Sequence, residues 1–403
     1  MFDLVVLRAT GNGDEIIDLG LLAETLLFYQ RVHLVLDSGS LIYLSKKLGT
    51  DVMLDLLNVP GVTASFLRDS LGTFTQTSMG LKTHNFAQFR VEPPGGKKVS
   101  DEKWITAQLI RTLGDSRAIS LFSKKLNSKL SRATFNERGA QNLPDEARNS
   151  LTDATFINKA ISGVVGALLP SFSVPSSWYF HPLMLAGDKF AIDTNYDFAL
   201  LNREYERFIP ATHSTLSPEF LVTYLLTAQG ALRLGSRYLG ELVVDPATAS
   251  VVRFRCSELM KKRDSQVREL DLFQDINLPS GRSIRECLNS GERSFSEFLM
   301  LLDKAAKFKK WLAERDPDAQ LLRDYFNEAT ADTWIDKLKP KITRWFIATG
   351  LGAIAEALFP STGAIASAGI SLSDTFLLDK LVKGWKPNQF VQGSLSEFVG
   401  TPI

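Results

Sequence analysis

Between Trp345 and Ser373 the chain reads WFIATGLGAIAEALFPSTGAIASAGISLS, and Glu356 is its only charged residue. So much apolar surface in one stretch must be shielded from water by protein or by lipid. Trp345 to Phe359 is 15 residues, which as a helix would measure about 22 Å. That falls short of the roughly 30 Å hydrocarbon core of a bilayer. Pro360-Ser361-Thr362-Gly363 then forces a break, and Ala364 to Leu378 supplies a second helical arm. The spacing predicts an apolar helical hairpin over 345–378.

The two arms are patterned for close approach. Ile347, Leu351, Ile354 and Leu358 line one face of the first arm, with Ala348, Gly352 and Ala355 beside them. Gly363, Ser367 and Ser371 recur at four-residue steps in the second, a spacing that lets helix backbones pack tightly. Lys337, Lys339, Lys341 and Arg344 precede the hairpin; Lys380, Lys383 and Lys386 follow it, and Trp334, Trp345 and Trp385 stand near the same boundaries. Basic flanks with interfacial Trp suit a re-entrant hairpin whose ends share one side of a membrane. Trp345, Phe346, Ile347, Leu351, Ile354, Leu358, Phe359, Ile365 and Ile370 are then the expected contacts with a membrane or a protein partner. Glu356 opposes this, at about 2–3 kcal/mol near the bilayer centre. Burial inside an ordinary domain fits the same pattern, with the Phe- and Leu-striped helices at 294–338 as cover. The two are compatible, as a hairpin sheathed until a trigger releases it. Gly350-Leu351-Gly352-Ala353-Ile354-Ala355 also fits G-x-G-x-x-A, with Asp374 downstream, but only 53 residues follow Gly350, too few for a dinucleotide-binding sheet.

Elsewhere the signals alternate and then turn helical. FDLVVL and RVHLVLD read as strands, SLIYLSKKLGTDVMLDLL as a helix and GVTASFL as a further strand, which makes a small α/β module over 1–100. The turn-rich VEPPGGKKVSDE closes it. Residues 101–290 form a mainly helical middle region with an apolar, Pro-containing loop at 160–187, and 291–403 a helical C-terminal domain. Phe198–Phe208, Pro218–Leu239 and Val251–Phe273 read as helices, and FAIDTN as a strand. The expected class is therefore α+β, a small α/β module before a predominantly helical body. Ala118–Phe135 reads as a basic amphipathic helix. Its Lys124, Lys125, Lys129 and Arg132 make either a solvated face or a contact with anionic lipid. Ser294 and Glu297 form a capping-box pattern, and Asp316-Pro317 a cap followed by proline.

Chemical motifs are sparse. LDSGS at 36–40 has the D-[ST]-G-[ST] shape of aspartic-protease loops, but that chemistry needs a second carboxylate and this is the only D-[ST]-G in the chain. Asp37 or Ser38 capping the following helix explains the motif, and such a junction can still hold an anion. His33, His84, His181 and His213 lack metal spacing, and Cys256 and Cys287 stand alone, so no metal or cofactor is expected. Asp193, Asp197 and Glu204 have no spacing that requires them to meet. Net charge +1 gives no general attraction to nucleic acid. No secretory pattern opens the chain, so a cytoplasmic protein, peripheral to a membrane, is expected.

These readings converge on a non-catalytic protein that engages a membrane or protein partner through its hairpin, in the manner of a prokaryotic defence or toxicity effector. An enzyme with its site near Asp37, His33 and His84, and a structural adaptor using the helices at 294–338, are the alternatives. The sequence leaves oligomeric state and trigger open.

Overall fold

A computed structural model describes residues 4–8, 17–78, 80–93, 98–136, 142–207, 215–255, 284–313 and 390–399. The chain divides into two units, Phe2–Met260 and Lys261–Ile403. The fold is α+β, with helices, one parallel sheet and one antiparallel sheet. The hairpin at 345–378 and its basic flanks, Lys337 to Lys383, lie outside the described residues, as do GNGDE at 11–15, His213 and Cys256.

The first unit is organised around a five-stranded parallel sheet. β1 (Leu4–Arg8) and β2 (Arg31–Leu36) are short apolar runs whose residues are almost all buried. Continuous burial, without alternation, marks a strand covered on both faces. α1 (Leu19–Phe28), capped by Asp18, connects them. After β2 come α2 (Ser38–Leu48) and α3 (Thr50–Leu56). The sequence predicts one helix here; Gly49, at φ +81°, divides it into two, a left-handed turn that glycine adopts without steric cost. β3 (Val62–Leu67) then pairs with β2.

The outer strands come from beyond the turn-rich stretch at 91–102. α4 (Asp101–Leu113) and α5 (Arg117–Lys129) precede β6 (Leu130–Ala133), which pairs with β3, and β9 (Glu241–Val243) pairs with β1. The strand order is β6-β3-β2-β1-β9. The chain steps outward from β1 in one direction, then returns to β1's other side. The point of reversal lies between β1 and β9.

Between β6 and β9 come α6 (Leu143–Ser150), α7 (Ala154–Leu168), α8 (Phe198–Glu206) and α9 (Pro218–Tyr238). The Tyr238 hydroxyl lies 3.2 Å from Ser65 Oγ in β3, and the Thr227 carbonyl accepts from Arg8 Nη1 at the end of β1. Both contacts fall at the same level of the sheet, because Val35 pairs with Arg8 on one side and with Ser65 on the other. The turn into β9 is tight at Gly240, where a Cβ would stand 3.0 Å from Leu4 and Val6 side-chain atoms. α10 (Pro246–Arg255) follows β9 and packs on α7 and α9.

The second sheet is antiparallel, in the order β4-β5-β8-β7. β4 (Asp69–Ser78) and β5 (Leu81–Arg90) form a long hairpin, and β7 (Phe180–Met184) and β8 (Phe190–Thr194) a shorter one. Its inner face joins α7 and α9 in a core containing Phe86, Phe135, Phe180 and Phe190. Its outer face carries Phe74 against Phe89, ring centroids 5.5 Å apart.

In the second unit a helix at Ile284–Asn289 precedes helices at Phe295–Lys304 and Ala306–Ala313. The capping box at Ser294 and Glu297 is formed. The segment Phe390–Val399 returns onto these helices: Arg293 donates to the carbonyls of Phe398 (2.8 Å) and Glu397 (3.0 Å), and Phe390 stacks on Phe308 at 5.0 Å. Among the described residues no helix is long and apolar enough to cross a membrane.

Candidate functional site

In open parallel sheets, ligands sit outside the carboxyl ends of the strands, at the point where strand order reverses. Here that point lies beside Arg8, the last residue of β1. The strand delivers the guanidinium into a nearly closed setting, and Arg8 is 8% exposed. It lies over the Phe135 ring at 5.0 Å. Among the described residues its one hydrogen bond runs from Nη1 to the Thr227 carbonyl at 3.3 Å. Burial lowers its pKa to about 10, and the charges of Asp37 and Asp245 partly oppose that fall. Arg8 therefore remains cationic near neutral pH, with donors that no described residue uses.

Both carboxylates stand where a strand meets a helix. Asp37 follows β2 and caps α2: its Oδ1 accepts from the Ser40 amide and the Ser40 hydroxyl, each at 2.8 Å, and the Asp37 amide donates to Ser40 Oγ. The D-S-G-S stretch is thus a capping box, as its helix-cap reading anticipates. Asp245 follows β9 and caps α10 by accepting from the Thr248 amide at 2.9 Å. Thr248 lies in the first turn of α10 and is fully buried, and among the described residues its Oγ1 has no hydrogen-bond partner. Two helix N-termini, with amides oriented toward the edge, thus accompany Arg8 at the reversal point. The sequence shows Asp37 as a cap; it gives no sign that Arg8 and Asp245 join it, because those residues are brought together only by strand order.

The histidines named beside Asp37 are placed elsewhere. His33 lies mid-strand in β2, its Nδ1 2.8 Å from Thr63 Oγ1 and its Nε2 3.0 Å from Ser65 Oγ. A serine–histidine pair suggests nucleophilic chemistry, but Ser65 is fully buried and His33 stacks on Tyr238 at 3.8 Å. No reactant reaches such a hydroxyl. Burial, reinforced by Arg237, lowers the His33 pKa to about 4, so the ring is neutral. His84 belongs to the antiparallel sheet, where Nδ1 lies 2.9 Å from Thr75 Oγ1.

The acidic residues Asp193, Asp197 and Glu204 serve locally. Asp193 accepts from the Tyr179 hydroxyl, Asp197 caps α8, and Glu204 pairs with Arg207. Among the described residues no group of His, Cys, Asp and Glu forms a metal centre.

The basic helix is shorter than its sequence pattern suggests. α5 ends at Lys129, and Arg132 lies in β6, paired with Asp101 and Glu102. Phe122 and Leu126 are buried, while Lys124, Lys125 and Lys129 are exposed. The apolar stripe of α5 is thereby used within the fold. Compared with known proteins, this chain matches no family model, no curated protein and no solved structure.

Proposed function

We propose that the Phe2–Met260 unit binds a small organic anion bearing hydroxyl groups, the class that includes nucleotides and sugar phosphates. The observation that carries this reading is Arg8, a buried cation with a single hydrogen bond among the described residues. A buried guanidinium is costly unless its donors are used, and an acidic ligand group would use them. Asp37 Oδ1 is occupied by the cap, so a ligand hydroxyl would find its second oxygen. The helix N-termini of α2 and α10 favour negative charge at the same edge. The flanking carboxylates disfavour a bare multivalent anion.

Calorimetric titration tests this with AMP, ribose 5-phosphate and inorganic phosphate. The two hydroxylated phosphates are expected to bind more tightly than inorganic phosphate, and Arg8→Lys to weaken them at least tenfold because a lysine cannot offer the planar fork. Absence of binding by all three, or equal binding by the variant, defeats the reading.

The composition of 345–378 supports a second activity for the other end of the chain, contact with a membrane or protein partner through Ile347, Leu351 and Ile354. Flotation with anionic liposomes, abolished by Gly352→Glu, is the expected result. Equal behaviour of the two proteins would end that reading.

A further inference from the structure

A second, independent recognition site lies along β5. This strand pairs with β4 over its whole length, from Leu81↔Ser78 to Arg90↔Asp69, yet it pairs with β8 at one position, His84↔Phe190. From Asn85 onward, the edge that faced β8 has no strand partner among the described residues. A cleft of about 490 Å³ is lined by the consecutive residues Asn85, Phe86, Ala87 and Gln88. Side chains of successive strand residues point to opposite faces. Four in a row line one cleft only when it runs along the strand's edge, where alternate backbone N–H and C=O groups are directed. The opposite wall comes from Asn136, Asn142 and α6.

The chemistry of the cleft narrows the occupant. The cleft lining carries two arginines and two aspartates and so no net charge: Arg148 pairs with Asp145 at 2.8 Å and with Asp188 at 2.7 Å, and Arg233 pairs with Glu146 at 2.6 Å, which leaves no strong field for an ion. The remaining polar groups are side-chain amides. Gln88 Nε2 donates to Asn136 Oδ1 at 3.0 Å, and the Asn142 side chain makes no cap hydrogen bond. Side-chain amides offer both donors and acceptors, as a peptide backbone requires of its partners. We infer that this cleft binds an extended, uncharged peptide segment, about four residues long, by adding it as a strand to the open edge of β5. An unpaired edge is otherwise an aggregation hazard, and α6 on the far side restricts access to a single chain.

The test uses the full chain to select from a phage-displayed library of random octapeptides. The best sequence is then synthesised and its binding followed by fluorescence anisotropy. N-methylation of alternate backbone nitrogens is expected to weaken binding at least tenfold on one register and little on the other, which side-chain recognition would not produce. Asn142→Trp fills the cleft from an exposed rim position and is expected to weaken binding at least tenfold, whereas Glu206→Trp, exposed and outside the cleft, leaves it intact. Thermal melting of both variants checks that each is folded. Failure to select any peptide, indifference to N-methylation, or binding unchanged in a folded Asn142→Trp protein would overturn the proposal. Maltohexaose binding that Asn142→Trp blocks, with no peptide binding, would overturn it too.

Discussion

Two buried arginines stand at carboxyl ends of strands in the same parallel sheet, and they are treated in opposite ways. Arg68, following β3, is 3% exposed and its guanidinium is enclosed by acceptors. Nε donates to the Val91 carbonyl (2.8 Å), Nη1 to the Val99 carbonyl (2.7 Å) and Nη2 to Glu92 (2.6 Å), with Asp101 at 3.4 Å and the Trp104 ring at 4.6 Å. Its partners lie at the two ends of the turn-rich stretch, so one side chain staples those ends together. Among the described residues Arg8 has a single carbonyl and an aromatic face. Both pay for desolvation; the described residues compensate Arg68 with four acceptors and Arg8 with one. The difference separates an arginine that builds the domain from one left available to a ligand.

The largest expected effect tests the first half of that contrast. Arg68→Met removes the donor to the Val91 and Val99 carbonyls and leaves Glu92 and Asp101 only their contacts with Arg90 and Arg132, and removal of one partner from a buried network costs about 3–5 kcal/mol. Urea denaturation followed by tryptophan fluorescence measures it. A loss below about 1 kcal/mol would mean the network is ornamental and the contrast empty. Arg8→Met tests the second half. Methionine keeps the apolar contact with Phe135, and relief from burying a charge offsets the one lost hydrogen bond. Stability is expected to stay within about 1 kcal/mol of the parent, while binding of AMP disappears. Equal destabilisation by both substitutions would erase the distinction.

His33 extends the comparison into the middle of the sheet, where a titratable ring is closed in by Thr63, Ser65 and Tyr238. Its folded-state pKa of about 4 lies below the ordinary 6.5. Above pH 6.5 the ring is neutral in both states and the stability is fully present. As pH falls below 6.5 the unfolded chain takes up a proton that the folded chain refuses, so stability declines until about pH 4. The total loss is up to about 3 kcal/mol. His33→Asn is expected to flatten this part of the profile, compared by urea midpoints at pH 7, 5.5 and 4.5. An unchanged slope would show that the ring is open to solvent, unlike Arg68.

How much of this was legible follows from length and period. β1, β2 and β3 are continuous apolar runs bounded by turns, and α9 is a long periodic stretch, so each announces itself. The Asp37 cap is legible from four residues. β6 and β9, at LSRA and ELV, are too short to show any period, and without them neither the five-stranded sheet nor its reversal point exists on paper. The β4–β5 hairpin leaves a signal in the alternation of KTHNFAQF and in Gly80, at φ +80°. Asp245-Pro246 carries the same cap-then-proline signal as Asp316-Pro317. What no local pattern holds is the convergence of Arg8, Asp37 and Asp245, which are joined by sheet order alone.

The smallest effect isolates the site from the helix that supports it. Leu239 closes α9 in the left-handed conformation, φ 53°, ψ 37°, and is 88% exposed. A side chain there crowds the backbone at a cost of about 1 kcal/mol, and exposure means leucine recovers nothing by packing. Glycine is the usual residue at such a helix end. Leu239→Gly is therefore expected to stabilise the protein by about 0.5–1 kcal/mol, read as a higher urea midpoint with unchanged slope. Thr227 lies three turns earlier in α9 and holds Arg8 through its carbonyl, so AMP affinity should not move. If affinity falls along with this gain in stability, Arg8 depends on play in α9, and its contact with Thr227 reports a loose helix end and not a built anion site.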